Sequence, residues 1–218
     1  MKNRKLITQD QIIKWYMDYV IIHNKNPKSV YAFAKANNFE EQRFYESFSS
    51  FVTLEQSIFK IFFDNAHTAL EKNEDYLIFD ARNKLLSFYF TFFGILNENK
   101  KYIIYVLNSR STSLNMRKTL TQLKQRFISY MAYLNIDSLE FKQEQLSNLQ
   151  NRGIKKSAWL QLLITIKFWL NDTSQSSENT DLFIEKSVEA SFDLIDVAPS
   201  KNLIDLGKFL VMEKMCMN

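Results

Sequence analysis

The chain has 218 residues, 46% of them hydrophobic and 15% aromatic, and this content excludes a disordered protein. Three glycines and two prolines are far fewer than average, which favours helices and excludes a glycine-rich phosphate loop. The net charge of +4 is compatible with weak attraction to polyanions but does not require it.

The cysteine content and the hydropathy of the chain indicate in which cellular compartment the protein is expected. The single cysteine, Cys216, excludes an internal disulfide framework, and no signal-peptide pattern is visible at the N-terminus. No apolar run reaches the roughly 18 residues that a membrane-spanning helix needs. These features predict a cytosolic protein without a membrane span.

The first predicted helix covers residues 10–23, where apolar residues recur at helical spacing. A second helix is expected to begin either at Asn26-Pro27 or after Ser29, because Asn and Ser cap helices and Pro suits the first helical position. Its inward residues are predicted to be Val30, Phe33 and Ala34, and its outward residues Lys28, Tyr31 and Lys35.

A tight turn is predicted at Asn37-Asn38, since Asn tolerates the left-handed conformation. A short third helix follows, with Phe44, Tyr45 and Phe48 on its expected inner face. Two short helices joined by a tight turn are typical of a helix-turn-helix unit, whose second helix enters the DNA major groove.

The remainder of the chain is predicted to be helical, since strand alternation is nowhere sustained. Ser49-Ser50 is expected to cap a fourth helix whose inner stripe is Leu54, Ile58, Ile61, Phe62, Asn65 and Ala69. Further helices are predicted over 75–93, 100–107, 113–134, 154–170, 181–196 and 201–215. The predicted fold class is all-α, with a three-helix head in residues 1–64 and a helical-bundle body in residues 65–218.

The head carries a gapless pattern of matched positions. Ser29-Val30 opens the second helix, Phe33-Ala34 follows within it, Phe44-Tyr45 lies in the third, and Phe48 and Leu54 come later. This pattern resembles the head of the TetR family of transcriptional repressors, with Asn38 in place of the family's turn glycine. The resemblance implies a homodimer that binds a palindromic double-stranded DNA operator.

The resemblance also implies roles for individual head residues. The DNA-binding set is Lys28, Ser29, Lys35, Gln42, Arg43 and Tyr45, with phosphate contacts by Ser29, Lys35 and Tyr45 and base contacts by Arg43 and Gln42. The alternative interpretation is that Tyr45 is a core residue and that Arg43 pairs with Glu40 or Glu46 on its own helix.

The recognition helix departs from the family by its acidic residues, Glu40, Glu41 and Glu46. A carboxylate facing a phosphate is repulsive, and phosphate neutralisation supplies much of the affinity for DNA. A glutamate can nevertheless accept a hydrogen bond from cytosine N4, so these residues do not exclude base recognition.

Two aromatic clusters in the body have a functional and a structural interpretation. The resemblance implies a pocket for a small hydrophobic effector, with the candidate residues Phe88, Tyr89, Phe92, Tyr102 and Tyr105. It also implies a dimer interface near the C-terminus, with the candidate residues Trp159, Leu163, Ile166, Trp169 and Phe192. The alternative for both sets is an ordinary hydrophobic core.

No catalytic residue, metal site or cofactor is predicted. His23 and His67 lie on separate predicted helices, and we find no carboxylate or cysteine at metal-ligand spacing from either histidine. A second hypothesis is a binding protein that keeps the fold without binding DNA. Coenzyme Q biosynthesis accessory proteins resemble TetR repressors in this way, and an acidic recognition helix with an aromatic-rich body suits a lipid or isoprenoid ligand.

Overall fold

A computed structural model describes residues 7–109, 113–134, 136 and 144–196. Within these ranges the regular structure is helical and no strand occurs, so the all-α prediction is confirmed. The helices are α1 Gln9–His23, α2 Val30–Ala36, α3 Glu41–Tyr45, α4 Phe51–Glu71, α5 Glu74–Ile78, α6 Ala81–Glu98, α7 Lys100–Ser109, α8 Ser113–Thr119, α9 Thr121–Tyr133, α10 Glu144–Asn171 and α11 Glu178–Asp196. The helix predicted over 201–215 and Cys216 lie outside the described residues. None of the described helices is both long and apolar enough to cross a membrane.

The described residues form two compact units. The first falls within Met1–Phe79 and Ser87–Tyr133, and the second within Asp80–Leu86 and Leu134–Asn218. In the first unit α4 packs along α9 and α8, α1 packs on α7, and α2 packs on α3. In the second unit α10 packs on α11. The division at residue 64 stays a prediction, because compactness groups the first three helices with α4, α7 and α9.

The first three helices follow one another in the predicted order, and capping chemistry explains where they begin. The Ser29 hydroxyl accepts the Ala32 backbone N–H at 3.1 Å, so α2 begins after Ser29 and not at Asn26-Pro27. The turn residue Asn38 has a φ of 56°, the left-handed conformation predicted for the Asn pair. As predicted, Phe33 and Ala34 are buried and Lys28, Tyr31 and Lys35 are exposed, whereas Val30, also predicted to face inward, is half-buried.

The fourth helix begins at a capping box. The Ser50 hydroxyl accepts the Thr53 N–H at 3.3 Å, and the Thr53 hydroxyl accepts the Ser50 N–H at 2.9 Å. The predicted inner stripe is wrong at Asn65 and Ala69, which are exposed. The buried face is wider than one stripe, because α4 packs against the head at its start and against α9 along its length; its members are Leu54, Glu55, Ile58, Phe59, Phe62, Phe63, Ala66 and Leu70.

Two long predicted helices are broken. The helix predicted over 75–93 is interrupted at Phe79, which is extended, and α6 starts after Asp80, whose carboxylate accepts the Asn83 N–H at 2.8 Å. Ile78 is 84% exposed because it ends α5 on the outside of this break. The helix predicted over 113–134 is likewise two helices, α8 and α9, separated at Leu120.

In the second unit, α10 and α11 are joined by a short connection that contains the 3-10 helix Gln175–Ser177 and is closed by Asp172. One carboxylate oxygen accepts the Ser174 N–H and hydroxyl at 2.9 and 2.6 Å, and the other accepts the Thr180 N–H and hydroxyl at 2.9 and 2.6 Å. Partial desolvation opposes ionisation, but these hydrogen bonds outweigh it and hold the pKa of Asp172 well below its ordinary value. The bonds constrain Ser176 and Ser177, which have positive φ angles of 52° and 64°.

We expect Asp172→Asn to lower the free energy of unfolding by about 1–2 kcal/mol at neutral pH, because charge-assisted bonds are lost. The folded carboxyl has a pKa below the unfolded value of 3.8, so its contribution is complete above about pH 5 and is lost as pH falls through the folded pKa. Urea unfolding between pH 3 and 7 measures this, and the variant should have a flatter profile.

The matched control for this prediction is Asp181→Asn. Burial and the charges of Asp172 and Glu178 raise the pKa of Asp181, so its ionisation destabilises the folded state and the variant should be neutral or slightly stabilised at pH 7. Equal losses of unfolding free energy in the two variants would contradict the role of Asp172 in closing this loop.

Candidate functional site

An open groove of about 560 Å³ lies between α2 and α3 on the head. Its lining residues are Tyr31, Ala34, Lys35, Asn38, Phe39, Glu40, Glu41 and Gln42. The structure therefore brings together Lys35 and Gln42 of the predicted DNA-binding set, along with Tyr31 and Asn38, which the sequence did not indicate as site residues.

The second helix presents the basic part of this surface. Lys28, Ser29 and Lys35 are all exposed, and the Lys35 ammonium lies 6.0 Å from the centre of the exposed Tyr31 ring. This contact directs a flexible lysine across the face of an aromatic residue. The Ser29 hydroxyl is already engaged as the cap of α2.

Arg43 is held by its own structure. Its Nε donates to the backbone carbonyl of Ile7 at 2.8 Å, and its guanidinium forms an ion pair with Glu46 one turn later. The pairing with Glu46 is the alternative that the sequence left open. Both contacts occupy the guanidinium. The bond to Ile7 attaches α3 to the segment that precedes α1.

Tyr45 is 52% exposed, so the prediction that it belongs to the inner face of α3 is wrong. The short helix buries only Phe44, whose ring lies 5.6 Å from that of Tyr45, and it turns the tyrosine to the surface. Partial desolvation, then the charge of Glu41 and a hydrogen bond to it, raise the pKa of Tyr45. The hydroxyl therefore remains a neutral donor over the physiological range.

The aromatic residues predicted to line a ligand pocket lie in the core of the first unit. Phe88, Tyr89, Phe92 and Tyr102 are completely buried, and only Tyr105 is half-buried. The Phe88 ring centre lies 4.8 Å from Tyr130 and 4.9 Å from Phe63. Phe88 also packs on Phe92 at 5.5 Å, whereas the Tyr102 ring lies 6.4 Å from that of Tyr16. These residues are buried among aromatic rings, and their assignment to a ligand pocket stays a prediction.

The buried Tyr89 hydroxyl has no hydrogen-bond partner among the described residues. Burial raises the pKa of Tyr89 far above its ordinary value, because nothing nearby stabilises the phenolate.

A second open groove, of about 580 Å³, lies between α4 and α9 and was missed by the sequence analysis. It is lined by Phe63, Asp64, His67, Thr68, Glu71, Arg126, Ser129, Tyr130 and Tyr133. The spacing of Asp64, His67 and Glu71 on α4, at i, i+3 and i+7, could have indicated it.

The lining of this second groove contains both charged groups and aromatic rings. Asp64 binds Arg126 at 2.9 Å and Lys60 at 2.5 Å, while His67 Nδ1 lies 3.5 Å from Glu71. His67 and Glu71 thus form one pair at i, i+4 spacing on α4. The described residues nevertheless contain no group of three or more side chains suited to hold a metal ion.

The residues predicted to form a dimer interface lie largely inside the second unit. Trp159, Ile166, Trp169 and Phe192 are buried and Leu163 is half-buried, so these side chains pack within the chain. The apolar residues that α10 leaves exposed are on its other side, at positions spaced by four: Leu160, Ile164 and Phe168. Phe168 stacks on Phe183 of α11 at 4.7 Å, which connects this exposed stripe to the neighbouring helix.

Comparison with known proteins gives one family match. Residues 84–210, more than half of the chain, match the family model described as Tetracyclin repressor-like, C-terminal domain. A search of curated proteins finds no match to this chain. The matched segment begins near the start of α6 and covers α7 to α11, downstream of the first five helices. The chain therefore belongs to the tetracyclin repressor-like (TetR) family.

Proposed function

We propose that the protein is a transcriptional regulator that binds operator DNA as a homodimer and responds to a small hydrophobic ligand held by the body. The observation that carries the proposal is the exposed face of the head. There, Lys28 and Ser29 just before α2 and Lys35 on α2 flank a short α3, which presents Gln42 and Tyr45 to the surface. An α3 placed in the major groove would bring the start of α2 to the neighbouring phosphates.

The electrostatics of this face favour selective over non-specific binding. Lys28 and Lys35 can each neutralise a phosphate, whereas Glu40 and Glu41 beside them repel phosphates that approach in another register. Tyr45 adds an exposed, uncharged phenol to the same surface. We infer that the protein binds weakly to random DNA and that its affinity depends on a correct fit.

Dimerisation is assigned to the exposed stripe of α10, not to the buried residues first predicted. Leu160, Ile164 and Phe168 form a continuous apolar row that a second copy could cover, and Leu182 is a further exposed apolar residue on α11. A two-fold dimer would present two heads to half-sites about 34–36 Å apart, one turn of DNA.

For the ligand, the groove between α4 and α9 is the better candidate, since the first-predicted residues are closely packed. Its walls combine the rings of Phe63, Tyr130 and Tyr133 with the polar groups of His67 and Arg126. A ligand bound there would contact α4, the helix that directly follows the head in the chain. If the bound ligand prefers one packing of α4 against α9, the position of the head on the DNA changes with it.

The first test is selection of genomic DNA fragments by the purified protein at low and moderate salt. Recovery of a palindrome establishes the regulator. With that site, we expect Lys35→Ala to weaken binding roughly tenfold and to reduce the salt dependence by about one counterion per protomer, because a phosphate contact is lost. Fluorescence anisotropy with a labelled duplex, at several salt concentrations, measures both.

Lys72→Ala is the matched control, because Lys72 is an equally exposed lysine at the end of α4 and outside the head. Its binding should remain within twofold of the unaltered protein. Equal losses of DNA affinity in the two variants would mean that affinity depends on the net charge alone. No loss of affinity in either variant would mean that Lys35 does not contact the DNA.

The second candidate function is a lipid- or isoprenoid-binding protein that does not bind DNA. The observation in its favour is that α3 carries Glu40 and Glu41 while its arginine is paired with Glu46. If the folded dimer selects no DNA fragment and mass spectra of its extracts show co-purified lipid, this second function is supported and the regulator function is rejected.

A further inference from the structure

We propose that Gln42 is the base-recognising residue of α3 and that each operator half-site carries an adenine opposite it. This inference rests on the proposed function, since it specifies the DNA sequence that the same head would select. The argument depends on which polar groups of α3 are available and on what surrounds them.

The first step is that Arg43 is not available for base recognition. Its guanidinium donates to the Ile7 carbonyl and pairs with Glu46, so a move into the major groove would break both contacts. An arginine would otherwise favour guanine, through O6 and N7. The structure thus makes Arg43 a positioning residue that fixes α3 against the start of α1.

The second step is that Gln42 is available. Its side chain is exposed on α3, lines the groove beside Lys35, and makes no hydrogen bond to the described residues. Its amide has a donor and an acceptor on one planar group. Adenine presents the matching pair in the major groove, the N7 acceptor and the N6 amino donor, so both bonds can form at once.

The third step concerns the neighbours of Gln42. Glu40 and Glu41 line the same groove and, when ionised, are acceptors only. A guanine edge would place its two acceptors, O6 and N7, beside these carboxylates, which is repulsive. An amino-bearing edge is attracted instead, so the carboxylates reinforce adenine over guanine at this position.

The test is a binding selection from a randomised duplex library, carried out with the full-length protein and with three variants. Gln42→Ala should lose the adenine preference at one position of each half-site, with roughly tenfold lower discrimination there, and retain the rest of the site. Gln42→Glu should shift that position towards cytosine, because a carboxylate accepts from N4 but cannot donate. Gln125→Ala, an exposed glutamine on α9, is the matched control and should select the unaltered site.

The outcomes separate this inference from the proposed function. A palindrome selected equally by the unaltered protein and by Gln42→Ala overturns the role of Gln42 and leaves the regulator intact. A guanine at the affected position also overturns it. An empty selection with the unaltered protein overturns both. Circular dichroism of each variant verifies folding, which a change at an exposed position should preserve.

Discussion

Replacing Phe88 by alanine is expected to lower the free energy of unfolding by about 3–5 kcal/mol, because a completely buried aromatic ring is lost and leaves a cavity. The ring stacks on Phe92 at 5.5 Å and also contacts Phe63 and Tyr130, so α4, α6 and α9 all lose contacts. These neighbours are themselves held by other rings and can collapse only partly into the space. Urea unfolding followed by far-UV circular dichroism measures the loss.

Phe90→Ala is the control on the same helix. Its side chain is 42% exposed, so the same chemical change should cost at most about 1 kcal/mol. The comparison also tests the ligand-pocket interpretation of Phe88. If Phe88 lined an open pocket, its replacement would cost little more than that of Phe90, and similar values for the two would reject the core assignment.

The second large effect is expected at a buried hydrogen bond between α1 and α4. The Tyr16 hydroxyl donates to Glu55 Oε1 at 2.7 Å, and the two residues are 0% and 1% exposed. Tyr16→Phe would remove a donor from a buried carboxylate and should destabilise the protein by about 2–3 kcal/mol. The Tyr16 ring also stacks on Phe51 at 5.2 Å, a contact that phenylalanine retains.

A double-mutant cycle isolates this bond from the rest of the site. Tyr16→Phe, Glu55→Gln and the double variant should give a coupling energy of about 1–2 kcal/mol, since the two groups are in direct contact. Tyr133→Phe, at a 62% exposed tyrosine, is the control and should change stability by less than about 0.5 kcal/mol. Strict additivity in the cycle would mean that the hydrogen bond contributes nothing specific.

Loss of this bond should also weaken operator binding under the proposed function, because Tyr16 and Glu55 join the first helix of the head to the helix that follows it. Binding measured well below the unfolding midpoint separates this effect from simple unfolding. A destabilised variant with unchanged affinity would make the bond purely structural.

Local chemistry in the sequence was sufficient to predict much of the head. Ser29 and Ser50 cap their helices, and Asn38 adopts the left-handed turn, because these preferences depend only on a side chain and the backbone beside it. The all-α class followed in the same way from the scarcity of Gly and Pro and from helical periodicity. These properties act over a few residues, so no knowledge of the packing was needed.

The positions of functional side chains depended on tertiary structure. Periodicity identifies residues that share a helical face, but it does not say what covers that face. It therefore placed Tyr45 inside, whereas α3 is too short to bury that residue. It also could not show that the second unit buries Trp169, which the family resemblance placed at a dimer interface. The sequence by itself determined the helices and the turn of the head, through local capping and periodicity. Only the packing of distant segments decided that Arg43 is bound to Ile7 while Gln42 remains exposed.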